Sequence, residues 1–280
     1  MDQHATDLAY LVNYLQEERG MGASAVEPHD DSAWFDRTWR QFRALVNTRE
    51  PLSASPEFLA VQDRFLQGLI AQAGVTDAET LPPCPADKRL ALWRGDITRL
   101  AADAIVNAAN SGMLGCWIPG HHCIDNAIHT YAGVQLRLEC ARLMREQGCE
   151  EPTGRAKATP AFNLPARMII HTVGPIANGS PTAAHRAQLA QCYRSCLDAA
   201  AQHACRTIAF CCISTGEFGF PQQEAARIAV ATVRAWLDEQ QARRPTDAPN
   251  GETLPARPLR VVFDVFGEAN ESIYRALLGF

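Results

Sequence analysis

The chain has 280 residues and a mass of 30.7 kDa, which suits one large domain or two modest ones. Hydrophobic residues make up 47% and charged residues 20%, so the composition excludes a fibrous chain and a wholly disordered one. The net charge is −5 with no concentrated basic run, which argues against nucleic acid as a partner. No apolar run approaches the roughly 18 residues that span a bilayer, and the start lacks a signal peptide's apolar stretch, so we expect a cytoplasmic protein with no membrane partner.

The first 85 residues are acidic and are predicted to form three helices. They carry 6 Arg, no Lys and 13 Asp and Glu, for a net charge of −7. Apolar residues recur there at helical spacing, and turn-rich stretches at 20–31 and 51–56 separate the three groups. Prolines 82, 83 and 85 hold the next segment extended. A domain boundary is therefore predicted here, with a helical extension over 1–85 and a second domain over 86–280.

Beyond that boundary, predicted strands alternate with predicted helices. The strand candidates, several of them apolar throughout as central strands are, cover residues 90–93, 104–107, 168–172, 207–212 and 259–265. The helical candidates cover residues 124–147, with a break near Gly133, 183–204, 221–241 and 268–278. This alternation predicts a three-layer α/β domain. Residues 243–258 are rich in Pro, Asp, Asn and Gly, which predicts a surface excursion before the last strand.

Three short segments follow predicted strands of this sheet. They are RGDIT at 94–98, NAANSG at 107–112 and STGEFGFP at 214–221. Ligands of α/β sheets bind at such places, where loops run into helix N-termini and present unpaired N–H groups. The last segment could wrap a pyrophosphate with backbone amides. Taken singly, each signal is weak, because Asp96 could merely cap a helix and the Asn and Gly residues could merely form turns.

Between the asparagine segment and the next helix lies a pattern of potential metal ligands. Cys116, His121 and Cys123 form C-x4-H-x-C, a set that Zn²⁺ prefers. A site with three protein ligands leaves a position open for water or substrate. Buried thiols and an ordinary loop histidine explain the spacing equally well, and His122 is an alternative to His121. The ten cysteines are not expected to form a disulfide framework, and Cys140 and the others without a pattern are expected in the core.

GDIT, IVNAAN and STGEFGFP, in that order, resemble the macrodomain family, whose members bind ADP-ribose in a cleft on a mixed sheet between helices. The resemblance covers about residues 88 to 280. It implies a three-layer α/β/α macrodomain, preceded here by a small helical N-terminal region. It also implies that Asp96 accepts from the adenine amino group beside the N–H of Ile97, and that Asn110 binds the distal ribose. The diphosphate would be held by Ser214, Thr215, Gly216, Glu217 and Phe218, with Phe218 close to the distal ribose.

The string GCWIPGHHCIDNAIH at 115–129 is similar to the signature of the zinc-containing subclass of macrodomains. That subclass resembles the chain over nearly its whole length, because its members also carry a helical N-terminal extension. It implies one Zn²⁺ per chain, bound by Cys116, His121 and Cys123, and an ADP-ribose site lined by Ile124, Asp125 and Asn126. Helical spacing places Asp125 and His129 on one face. Asp125 or Asn126 could instead only cap the helix, and His129 is expected to be structural.

The resemblance implies a zinc-dependent hydrolase of the glycosidase type that removes mono-ADP-ribose from modified proteins. Cleavage at the anomeric carbon of the distal ribose builds oxocarbenium character there, and the catalytic roles fall to Asp125, Asn126 and Asn110. The implied partners are a sirtuin-like ADP-ribosyltransferase and a lipoylated carrier protein related to the glycine cleavage H protein. Two alternatives stay open: a module that binds ADP-ribose without turnover, and a deacylase of O-acyl-ADP-ribose.

Overall fold

The computed structural model describes residues 2–22, 24–243 and 259–280. Its first part contains the three predicted helices, α1 (Gln3–Glu18), α2 (Ser32–Asn47) and α3 (Pro56–Ala73). Each begins where the sequence offers a cap, since the side chains of Asp2, Asp31 and Ser55 accept a hydrogen bond from a backbone N–H of the first turn. The prediction of a helical N-terminal region is confirmed.

In the part of the chain that the structure describes, eight strands follow, in two sheets. In chain order they are β1 (Thr76–Asp77), β2 (Leu90–Arg94), β3 (Leu100–Ala101), β4 (Ala104–Ala109), β5 (Ala156–Pro160), β6 (Met168–Val173), β7 (Thr207–Phe210) and β8 (Arg260–Val265). The main sheet has the order β2-β8-β7-β4-β6-β5, while β1 pairs only with β3. Its neighbours are parallel except for β5 and β6, so the sheet is mixed, as predicted. The sequence did not predict β1, β3 or the half-exposed edge strand β5, because none of them carries an apolar run.

Five helices belong to the sheet domain. They are α4 (Ile124–Ala132), α5 (Val134–Gln147), α6 (Ala183–Gln202), α7 (Gln222–Ala242) and α8 (Glu268–Leu278). Gly133, with φ of 95°, separates α4 from α5 at the predicted break. Helices α6, α7 and α8 pack on one another and on the sheet, and α4 and α5 contribute the other layer. Beyond Arg243, the predicted excursion at 243–258 lies outside the described residues.

The N-terminal helices pack against the layer formed by α4 and α5. Their own cluster of buried apolar side chains includes Phe42, Phe58 and Phe65, and it extends to Tyr131 and Val134 at the junction of α4 and α5. The larger apolar cluster surrounds the main sheet. The boundary at residue 85 stays a prediction, since β1 before it pairs with β3 beyond it. Among the described residues, no helix is long and apolar enough to cross a membrane.

Candidate functional site

The predicted ligand-binding segments meet at one edge of the main sheet. Strands β2, β4, β7 and β8 run parallel, so their carboxyl ends lie at the same edge. Asp96 follows β2, Asn110 follows β4, and Ser214 follows β7. Loops at this edge are where an open α/β sheet binds ligands.

The three predicted metal ligands lie together in the segment 114–123, which we call the metal loop. The ligand atoms of Cys116, His121 and Cys123 are all within 4.8 Å of one another, and Cys116 Sγ lies 3.4 Å from His121 Nδ1. Cys123 also caps α4, because its Sγ accepts from the backbone N–H of Asn126 at 3.4 Å. His122 is exposed and does not belong to this cluster. Two thiols and one imidazole in this arrangement fit Zn²⁺.

The protonation of the Cys123 thiol depends on whether a cation is bound beside it. Burial raises the pKa of the Cys123 thiol to about 12, and the neighbouring Cys116 and Asp125 also act to raise it. Without a cation, the Cys123 thiol is therefore protonated at neutral pH. A bound divalent cation reverses the preference, because it stabilises the thiolate directly.

Asp125 and Asn110 lie side by side in the structure. The Asp125 carboxylate is 5% exposed and accepts from Asn107 Nδ2 at 2.8 Å and from Asn110 Nδ2 at 3.3 Å. His129 Nε2 lies 3.6 Å from it, on the same face of α4. Burial raises the pKa of Asp125 to about 6, although the hydrogen bond from Asn107 and the charge of Arg137 act in the opposite direction. The site thus contains one buried carboxyl group held by two amides.

Asn126 points to different neighbours from Asp125. Its side chain is fully buried, its Oδ1 accepts from Arg43 Nη2 at 2.8 Å, and its Nδ2 donates to the carbonyl of Ile118 at 3.1 Å. Both ends of the amide are therefore engaged within the protein, between α2 and the metal loop. Ile124 packs against the apolar cluster of the sheet. The shared role of Asn126 and Asn110 at the ribose stays a prediction.

Residues 214–218, which we call the diphosphate loop, present free backbone donors. Among the described residues, the N–H groups of Gly216, Glu217 and Phe218 donate to no protein acceptor. Ser214 has a left-handed φ of 64°, and its buried hydroxyl has no hydrogen-bond partner. Gly174 allows this close packing, since a Cβ there would collide with Ser214 Oγ. Strained backbone and consecutive free N–H groups are features of anion-binding loops.

The metal loop and the diphosphate loop face each other. His121 Nε2 lies 3.4 Å from Glu217 Oε1. Because Nδ1 of the same ring faces Cys116, the two ring nitrogens point to different partners. The candidate metal site and the candidate phosphate site are therefore parts of one cleft.

Asp96 and Phe266 lie after β2 and β8, at the end of the main sheet's carboxyl edge away from Asn110. Asp96 caps a short 3-10 helix (Ile97–Arg99), because its Oδ1 accepts from the backbone N–H of Thr98 at 3.0 Å. Phe266 directly follows β8 and is 82% exposed. The N–H of Gly95 donates to the carbonyl of Val265 at 3.2 Å, which joins the two loops. An exposed ring here offers a surface for a planar base. The sequence analysis missed Phe266, for which an aromatic residue after the last strand was the signal.

The half-buried cysteines and histidine and the free N–H groups thus lie together at the carboxyl edge of a mixed sheet. The Macro domain family matches residues 106–229. The chain is 48% identical to a protein-ADP-ribose hydrolase from Treponema medium over 271 residues, 96% of this chain and 97% of that protein. It is 46% identical to a protein-ADP-ribose hydrolase from Staphylococcus aureus over 272 residues, 97% of this chain and 94% of that protein. The chain belongs to the macrodomain family.

A solved structure shows the same fold. The crystal structure of a Trypanosoma brucei macrodomain in complex with ADP-ribose matches with a TM-score of 0.61 at 32% identity, covering 85% of this chain and 95% of that one. The prediction of a macrodomain fold with a mixed sheet is confirmed.

Proposed function

We propose that this macrodomain is a zinc-dependent protein-ADP-ribose hydrolase that removes mono-ADP-ribose from modified proteins. Relatives with that activity in their names match it over nearly its whole length. The observation that carries the proposal is the position of Cys116, His121 and Cys123, which lie together across the cleft from free N–H groups. A module that only binds ADP-ribose has no evident use for a metal site there.

One zinc ion per chain would be held by the three ligands of the metal loop. Two thiolates and a neutral imidazole cancel the charge of Zn²⁺, so the occupied site neither strongly repels nor strongly attracts an anionic nucleotide. When bound, the metal supplies a Lewis acid that lowers the pKa of an oxygen ligand.

The loops at the carboxyl ends of the strands would bind successive parts of the nucleotide: the adenine, the two phosphates and the distal ribose. Asp96 would accept from the adenine amino group beside the N–H of Ile97, and Phe266 would stack on the ring. The free amides of the diphosphate loop would hold the two phosphates. Phe218 at the end of that loop would lie against the distal ribose, which then sits between the diphosphate loop and Asn110.

Cleavage requires a group that orients water and stabilises positive charge. The bond between the anomeric carbon and the acceptor group of the protein breaks, and water adds to that carbon. ADP-ribose and the free protein side chain are the products, and the developing ribose cation is stabilised by a nearby carboxylate. Asp125 is the buried carboxyl group next to Asn110, so we assign it this role, with Asn110 holding the sugar. Asn126 would act by holding the metal loop in place.

The acceptor is proposed to be a mono-ADP-ribosylated protein. A lipoylated carrier related to the glycine cleavage H protein, a companion sirtuin-like transferase and a cytoplasmic location remain predictions.

The test combines metal content with turnover. Protein purified without a metal-binding tag is analysed for zinc by elemental mass spectrometry, and release of ADP-ribose from a mono-ADP-ribosylated protein is followed in parallel. We expect one zinc per chain and loss of release after chelation. Asp125→Ala should lower turnover by about 100-fold or more, the usual contribution of a general acid or base, while the Kd for ADP-ribose stays within a few-fold.

Other outcomes point to the alternatives. Tight ADP-ribose binding without metal and without turnover would leave a binding module. Release of a carboxylic acid from O-acyl-ADP-ribose, with no release from modified protein, would make the chain a deacylase.

A further inference from the structure

The metal loop has no regular secondary structure, so contacts with other parts of the protein must fix its conformation. Around His121 those contacts come from α2 of the N-terminal region. Asn47 Oδ1 accepts from the N–H of Gly120 at 2.9 Å, and Arg43 Nη2 donates to the carbonyl of His121 at 3.0 Å. These two hydrogen bonds hold the Pro119–Gly120 peptide group and the carbonyl of His121.

The same two side chains also reach α4. Arg43 Nη2 donates to Asn126 Oδ1 at 2.8 Å, and Asn47 Nδ2 donates to Thr130 Oγ1 at 3.0 Å. Asn126 Nδ2 in turn donates a hydrogen bond to the carbonyl of Ile118 in the metal loop. These hydrogen bonds connect α2, α4 and the metal loop in one network. Asn47, Asn126 and Thr130 are each at most 1% exposed. A buried polar network whose members are paired specifies one geometry and excludes others.

Arg43 has no counter-ion in this network. Among the described residues no carboxylate pairs with it, and its buried Nε lacks a hydrogen-bond partner. Arg43 is half-buried, so its guanidinium loses part of its hydration without gaining an ion pair, and its hydrogen bonds offset that cost only in part. A residue that only filled space between α2 and α4 would have no reason to be charged. In place of an ion pair, Arg43 donates hydrogen bonds to the carbonyl of His121 and to the side-chain amide of Asn126.

We propose that Arg43 is a positioning residue of the metal site, through which α2 fixes the backbone of His121 and the side chain of Asn126. The inference rests on the metal site of the proposed function. It makes the N-terminal region part of the site, because two of its side chains hold the loop that carries every ligand. Outer-sphere groups that orient a ligand control metal affinity in this way.

The test compares Arg43→Met with Arg43→Lys and with Arg40→Met, a matched change at an exposed arginine of the same helix. The zinc Kd is measured by competition with a chromophoric chelator, and the visible spectrum of the Co²⁺-loaded protein reports ligand geometry. We expect Arg43→Met to weaken zinc binding by about 10- to 100-fold, as outer-sphere substitutions do, and to change the Co²⁺ spectrum. Arg43→Lys should recover part of the affinity, and Arg40→Met should match the wild type.

Hydrogen exchange in metal-free protein separates positioning from general loss of fold. Arg43→Met should speed exchange at Gly120 and His121 while the amides of α1 and α3 keep their protection. Unchanged zinc affinity and unchanged exchange in Arg43→Met would overturn the inference, and so would exchange that rises throughout the N-terminal helices. A wild-type protein that takes up no zinc would instead overturn the proposed metal site itself, which distinguishes the two failures.

Discussion

The protein contains two clusters with similar ligand chemistry in opposite surroundings. In the metal loop, two cysteines and one histidine are half-buried and face the diphosphate loop. In the core cluster, the residues come from α4, α5 and β6, are fully buried, and also have ligand atoms within 4.8 Å of one another: His129, Cys140 and His171. Ligand type and spacing alone do not distinguish the two.

The surroundings do distinguish them. His171 Nδ1 lies 3.0 Å from Asn107 Nδ2, and its Nε2 lies 3.0 Å from Thr159 Oγ1, so both ring nitrogens already have partners. Burial lowers the pKa of His171 to about 3 and raises that of the Cys140 thiol to about 12. The core cluster is therefore neutral packing inside the fold. Among the described residues, both ring nitrogens of His129 lack a hydrogen-bond partner, so unoccupied lone pairs do not separate the two clusters. Access separates them, because the residues of the metal loop are half-buried whereas those of the core cluster are enclosed.

Matched substitutions in the two clusters should give the largest difference. Cys123→Ser should weaken zinc binding by at least about 100-fold, since even outer-sphere changes cost about 10- to 100-fold. Turnover should be lost together with zinc binding, while the serine hydroxyl still caps α4. Cys140→Ser should keep one zinc per chain and lower the free energy of unfolding by about 1 to 2 kcal/mol, because a hydroxyl is buried in place of a thiol. Elemental analysis and denaturant melts check both, and equal zinc loss in the two variants would contradict the comparison.

The core cluster should also control stability in acid. The unfolded chain takes up a proton at His171 near the ordinary histidine pKa of about 6.5, whereas the folded protein takes it up only near 3. The unfolded state binds more protons between these values, so stability falls as the pH falls through that window. At pH 5 this residue should cost about 2 kcal/mol relative to pH 7.5.

Melts of metal-free wild type and of His171→Gln at both pH values isolate that contribution. Asp125 with its raised pKa acts alike in the two proteins, because His171 is not among the causes of that shift. The pKa of His129 is lowered mainly by burial and also by the charge of His171, so the variant removes part of that shift as well. The variant should therefore lose less stability on acidification than the wild type. An equal loss would exclude His171 as the cause.

The smallest expected effect is at the contact between the two loops. Glu217 faces His121 Nε2 at 3.4 Å, but its side chain is 73% exposed. A carboxylate that orients a ligating imidazole strengthens metal binding, and solvent weakens that effect here. Glu217→Gln should weaken zinc binding by less than about 10-fold, below the usual outer-sphere range. It should also reduce the effect of ADP-ribose on zinc affinity, since coupling between two ligands is reciprocal.

Glu239→Gln is the control, because Glu239 pairs with Arg194 near the far end of α7. It should leave both affinities unchanged. Titration of zinc with and without saturating ADP-ribose measures the coupling. If Glu217→Gln keeps the full coupling, the two loops communicate through some other contact.

Local sequence determined much of this protein. Apolar periodicity, turn-rich separators and Gly133 were enough to predict the helices and five of the strands. The three loop segments and the C-x4-H-x-C spacing were readable as well, because each is a run of neighbouring residues at a strand end or helix start. These features depend on interactions between residues a few positions apart, so the order of residues along the chain is enough to predict them.

Other parts of the site were decided only by tertiary packing. Arg43 meets His121 and Asn126 across 78 and 83 residues of chain, and Cys140 meets His171 across 31. The loop that carries Phe266 joins the Asp96 loop through the hydrogen bond between Gly95 and Val265, because β8 pairs with β2. No local pattern specifies such pairs, since they depend on which helix layer and which strand order the whole core selects. The sequence thus named the candidate ligands of the metal loop, whereas the fold decided which helix contacts that loop.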